Sequence, residues 1–131
     1  MEAIKGIKLA LTGAVAFLSY IFGGSDLIFK VLIIFIVFDY LTGIAAAIYT
    51  KTLNSQTGFK GIIKKLIILT VVAISHWAGL ITGAEMIRTV VISFYIANEG
   101  ISIMENAVRC DIPVPDKLKE LLEQLKNGDK E

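Results

Sequence analysis

The chain has 131 residues, of which 55% are hydrophobic and 19% charged, a balance too apolar for an ordinary soluble domain of this size and one that makes lipid its solvent. The formal net charge is +1, with long stretches almost uncharged and most charges gathered in connectors and the C-terminal tail, so a nucleic-acid role gets no support. Cys110 is the single cysteine, which excludes an internal disulfide and a Cys-rich metal centre; no cofactor is expected.

Four apolar segments follow in order: Ile7–Phe22, Leu27–Tyr49, Leu66–Thr82 and Thr89–Ala107. The sequence therefore predicts an all-α integral membrane protein, a bundle of three to four transmembrane helices over residues 1–108, with a polar cytoplasmic tail over 109–131. Lys5 and Lys8 ahead of the first segment imitate a signal-peptide start, but Ala14-Val15-Ala16 lies inside the apolar run rather than after it, so the segment is expected to be retained. Ile7–Phe22 is short for a hydrocarbon core of about 30 Å. It is either a short span or an interfacial helix, and the charge distribution favours a span.

Gly23-Gly24-Ser25-Asp26 reads as a tight turn whose Ser/Asp pair caps the second helix. Of the 13 Lys and Arg residues, only Lys30 and Arg88 fall on one side of a four-span arrangement. Lys5, Lys8, a connecting loop with Lys51, Lys60, Lys64 and Lys65, and the tail with Arg109, Lys117, Lys119, Lys126 and Lys130 fall on the other. The positive-inside rule then places both termini and this topology-setting loop in the cytoplasm. In the tail, Ile112-Pro113-Val114-Pro115 resists helix, and Leu118, Leu121, Leu122 and Leu125 predict a short amphipathic helix ending near Asn127-Gly128.

Three ionisable residues interrupt the apolar runs. Counting from the segment ends puts Asp39, His76 and Glu99 near the bilayer midplane, where a charged side chain costs about 2.5–3.5 kcal/mol and each Leu, Ile, Phe or Val returns only about 0.3–0.6. The second segment is apolar enough to carry Asp39 unaided. The fourth, with Glu99, Asn98 and Glu105, is marginal alone and should need partner helices. At about 100° per residue, Tyr95, Asn98, Glu99, Ser102, Glu105 and Asn106 share one arc of that helix. Such a stripe faces either a water-filled lumen or the polar interior of a closed bundle. Gly43, Ala46 and Ala47 offer a small-residue surface beside Asp39 for close helix approach. His76 pairs with Asp39 or Glu99, or is a neutral histidine beside Trp77; with no second histidine or thiol at its depth, a metal site is not expected. No nucleophile-base set or phosphate loop appears, so the chain is not expected to be an enzyme.

Four stretches then carry a family resemblance: Phe38-Asp39-Tyr40-Leu41-Thr42-Gly43-Ile44-Ala45-Ala46-Ala47; Asn54-Ser55-Gln56-Thr57-Gly58-Phe59-Lys60-Gly61-Ile62-Ile63-Lys64-Lys65; Phe94-Tyr95-Ile96-Ala97-Asn98-Glu99-Gly100-Ile101-Ser102-Ile103-Met104-Glu105-Asn106; and Ile112-Pro113-Val114-Pro115 with the basic helix after it. In this order they resemble the toxin-secretion and phage-lysis holin family. The resemblance implies a homo-oligomer in the lipid bilayer that permeabilises the bacterial cytoplasmic membrane, releasing an endolysin or a toxin with no direct contact required with that cargo. Many members carry an acid near the middle of the third segment, where this chain has His76. Two other classes remain open: a small ion or solute transporter using the midplane acids, and a membrane anchor whose tail helix recruits a partner.

Overall fold

The structure, a computed structural model, describes residues 1–128; Lys130 of the basic tail lies outside the described residues. Among those residues there are five α-helices and no strand: α1 (Glu2–Phe22), α2 (Leu27–Tyr49), α3 (Ser55–Thr82), α4 (Met86–Arg109) and α5 (Asp116–Asn127). The first four are each long and apolar enough to cross a membrane. Three of them differ from the sequence-based bounds, α4 only by running three residues earlier and two later than Thr89–Ala107. α1 begins at Glu2 instead of Ile7, and its 21 residues rise about 31 Å, enough for a full span.

The larger difference is α3, which begins at Ser55 instead of Leu66. Lys60, Lys64 and Lys65 are therefore helical and do not form a loop. The Asn54 side chain accepts the Thr57 amide at 2.8 Å and starts the helix. Lysine is itself a good helix former, and its long stem lets the ammonium reach away from apolar surroundings. At 28 residues the helix is about 42 Å long, more than the hydrocarbon requires.

Phe29, Leu32 and Ile36 of α2 meet Val72 of α3 and Ile92 and Ile96 of α4 in the buried core. α2 and α4 lie side by side at the centre; α1 runs beside α3 alone, and α5 beside α4 alone. From Glu2 to Leu18 every residue of α1 is exposed, and its side-chain contacts come in the last turns, where the Trp77 indole donates to the Ile21 carbonyl at 3.0 Å. One end of the bundle holds the α2–α3 connection and the end of α4, tied by the Tyr49 hydroxyl donating to Asp111 at 2.8 Å. We call this the basic end, and the opposite one the Arg88 end.

The α3–α4 connection is close enough that a Cβ on Gly79 would stand 2.8 Å from the Ala84 carbonyl oxygen. A Gly79→Ala variant should lose roughly 1–3 kcal/mol by overpacking against backbone that cannot yield; a melting curve in mild detergent matching wild type would contradict this contact.

After α4 the chain reverses. Asp111 adopts a left-handed φ of 61°, the Ile112 amide bonds the Ala107 carbonyl at 3.0 Å, and α5 runs back antiparallel along α4 instead of forming a separate tail. Leu122 is buried where Gly100 lacks a side chain: a Cβ there would sit 3.0 Å from a Leu122 methyl and 3.2 Å from the Phe35 ring. Farther along, the Lys126 ammonium stands 5.9 Å from the Phe94 ring centre. Lys117, Lys119, Glu120, Glu123 and Lys126 are all exposed. Phe94 is about 22 Å along α4 from Arg109. Facing hydrocarbon at that depth, each such charge would cost on the order of 3 kcal/mol.

Candidate functional site

Asp39 on α2, Lys65 on α3 and Glu99 on α4 converge between the three helices. The Lys65 ammonium donates to the Asp39 carboxylate and to Glu99 Oε2 at 2.5 Å. The side chains are 10%, 17% and 4% exposed for Asp39, Lys65 and Glu99, so water does little to screen them. Asn106 extends the network: its Nδ2 donates toward Asp39 Oδ1 at 3.1 Å, the Asp39 carbonyl at 3.2 Å and Thr42 Oγ1 at 3.0 Å. Every fully buried side-chain nitrogen or oxygen among the described residues has a partner, as a low-dielectric interior demands.

Local sequence makes the convergence feasible. Gly58 and Gly61 leave room for the Tyr40 ring, whose atoms lie 3.6 and 3.5 Å from where their Cβ atoms would be, so α2 and α3 approach closely. Beside the cluster lies a cavity of about 240 Å³, lined by Asp39, Gly43, Lys65, Ser102 and Asn106 and continuing to Thr52, Asn54 and Arg109 at the basic end. The cavity thus reaches the charges from that end between mostly apolar walls, while the core on their other side is apolar.

Residues 16–127 match the bacteriophage holin family. This chain belongs to that family. The matched span contains the whole charge cluster, the cavity and α5. The chain is similar to an uncharacterised protein of Listeria innocua, 48% identical over all of this chain and 94% of the relative. It is also similar to uncharacterised proteins of Listeria monocytogenes, 49% identical over 93% of this chain and 86% of the relative, and of Clostridium perfringens, 40% identical over 95% and 96%. No solved structure matches. Holins are not an enzyme family, and with four helices of spanning length this one is a multi-pass membrane protein.

Of the residues singled out from sequence, the fold brings Asp39, Glu99, Ser102 and Asn106 together around Lys65. Asn98 and Tyr95 are half-buried on the same helix, and Glu105 is exposed. The α4 stripe thus points mainly into the bundle. His76 meets neither Asp39 nor Glu99 and stands beside Trp77, the other of the two arrangements expected for it. Because α3 starts eleven residues earlier than expected, the helix midpoint moves to about Leu69, Lys65 takes the place beside the acids, and His76 moves to the Arg88 end. There its ring lies 5.1 Å from that of Trp77. Gly43 and Ala46 pack within the chain, Gly43 with an Asn106 nitrogen 3.6 Å from its missing Cβ and Ala46 fully buried; Ala47 is half-buried. Lys51, Lys60 and Lys64 stay exposed.

A second constellation was not legible beforehand. Arg88, 8% exposed, donates from Nε to the Phe22 carbonyl at 2.7 Å, from NH2 to the Gly24 carbonyl at 3.0 Å, and bidentately to Asp26 at 2.9 and 3.1 Å. Gly23 makes this closure feasible: its φ is 85°, and a Cβ there would run into the His76 ring and lie 2.8 Å from Arg88 Nε. Sequence reading used Arg88 only to count charge and Asp26 only as a cap.

Proposed function

We propose that this protein is a holin in the full sense: it accumulates in the bacterial cytoplasmic membrane with its basic end in the cytoplasm, homo-oligomerises, and opens lesions that release an endolysin or a toxin. The observation that carries the reading is the Asp39–Lys65–Glu99 cluster. It closes each chain on itself by hiding ionisable groups that lipid would reject, so single chains can build up without harm. The same groups give an assembled state a source of stability once water reaches them, because solvation replaces the internal pairing. Among the described residues, the exposed Lys51 and Lys60 toward the basic end, with Lys30 and Arg88 near the other, support the orientation.

Induced expression in a bacterium, with membrane potential and leakage of a cytosolic enzyme recorded together, tests this. The expected result is an abrupt collapse of potential and enzyme release after a period of normal growth. Continued growth with full potential, at high membrane levels of the protein, would reject it.

One observation favours a second reading, a small ion or solute transporter: the cavity of about 240 Å³ that reaches the charge cluster from one end. That reading predicts saturable flux from reconstituted protein and retention of macromolecules.

A further inference from the structure

α2, α3 and α4 form the centre, with α1 at one margin against α3 and α5 at another against α4. The two marginal helices are opposite in chemistry. α1 from Leu9 to Phe22 carries no charge, and its apolar side chains stand free, Leu9 76% and Phe17 63% exposed. α5 presents Lys119, Glu120 and Glu123 on its open side, away from its buried Leu122. Yet α5 is docked along the middle of α4, with Leu122 on Gly100 and Lys126 over Phe94. If α4 crosses the bilayer, that open side lies at hydrocarbon depth, where charge is not tolerated against lipid tails.

We propose that the open face of α5 is a water-contacting surface inside an assembly of copies, with the α4–α5 hairpin turned to an aqueous lumen and α1 turned to lipid. The inference rests on the holin reading above and names which surface of the chain meets the water. It assigns the α4 stripe to holding the bundle together and the lining to Lys119, Glu120 and Glu123. A lone chain in lipid cannot keep α5 docked; a ring of chains can, because each supplies water to the next. Leu118, Leu121 and Leu125 stay 45%, 61% and 43% exposed. They lie on the flank of α5 between α4 and the charged face, where a neighbouring copy would cover them.

The test uses full-length protein carrying Cys110→Ser, with Gly100→Cys and Leu122→Cys added to staple the hairpin. Leu122→Cys makes room for the new thiol at position 100. In membranes of expressing cells the oxidised staple should form in most chains, and the stapled protein should collapse the potential no later than its reduced form. Failure of the staple to form in membranes overturns the proposal, since α5 is then not docked. A stapled protein that is silent until reductant is added also overturns it, since α5 must then leave α4.

A second measurement reads the surroundings of α5 directly: Glu123→Cys in the Cys110→Ser chain, labelled with an environment-sensitive dye and reconstituted in phosphatidylglycerol-containing vesicles. Iodide should quench the dye severalfold more than spin-labelled lipid at any depth. Dominant quenching by shallow spin labels would put α5 in the headgroups and overturn the proposal. A Cys110→Ser chain that leaves cells sealed at high membrane levels instead removes the holin reading itself, and the lumen with it.

Discussion

Lys65→Met is expected to be the most damaging single change in the bundle. Methionine keeps much of the lysine's length but removes the charge, leaving Asp39 and Glu99 facing each other, 10% and 4% exposed, with no cation between them. Removing one partner of a buried ionic group costs about 3–5 kcal/mol, because the remaining charge stays desolvated. In mild detergent the melting temperature should fall by roughly 10 °C or more. The triple variant Asp39→Asn/Lys65→Met/Glu99→Gln should recover most of that loss, since replacing a whole buried ionic group is often nearly neutral. In cells, the single variant should collapse the membrane potential at a lower protein level than wild type, because the closed chain is the state it weakens. If Lys65→Met melts with wild type, the cluster does not hold the bundle closed.

The asymmetry between single and triple variants follows from how the cluster is built. Each of three helices contributes one charged group, so no pair of helices can separate without breaking a bridge through Lys65. Asn106 adds a second tie between α2 and α4 by bonding both the carboxylate and the carbonyl of Asp39. α4, the helix least able to enter lipid on its own, is thereby held on both sides. Coupling of this kind is non-additive, and a double-mutant cycle on Asp39 and Glu99 should show it.

The acids and Asn106 were legible in the sequence because each breaks an apolar run, and such residues inside a span face a partner or water. Their partner was not legible. Lys65 sits at the edge of the run Leu66–Thr82, beside Lys64, where a charge pair reads as the end of a helix. Only the Asn54 cap, eleven residues earlier, marks the true start, and a capping asparagine is a weak signal in a loop rich in polar residues. The same miscount placed His76 at the wrong depth. For α5, the leucine spacing gave the helix, but its docking depends on one missing Cβ at Gly100 meeting Leu122, a pairing that no local pattern encodes. The Arg88 clamp is hidden for the same reason: it joins residues more than sixty positions apart in the chain.

That clamp carries the second large prediction. Arg88 satisfies two carbonyls at the end of α1 and both oxygens of the residue that caps α2, a planar fork that lysine cannot reproduce. Arg88→Ala should cost on the order of 3 kcal/mol, and Arg88→Lys should recover only a minor part. The effect should appear as loosening of α1, whose contacts are all near this end, and limited proteolysis within residues 2–18 should accelerate more than cleavage elsewhere. The clamp also predicts a direction with pH. The hydrogen bond from Arg88 holds the Asp26 carboxyl below its ordinary value of 3.8. A carboxyl depressed by folding contributes stability that is complete above about pH 5 and lost as pH falls through the ordinary value and then the folded one. Asp26 is 52% exposed, so the size of this contribution is reduced by solvent screening. Acid should therefore lower the melting temperature of wild type between about pH 5 and pH 3 more than that of Asp26→Asn. Parallel pH profiles for the two proteins would mean that the Asp26–Arg88 bridge adds nothing to the folded state, and the carbonyl bonds alone would then have to account for the loss in Arg88→Ala.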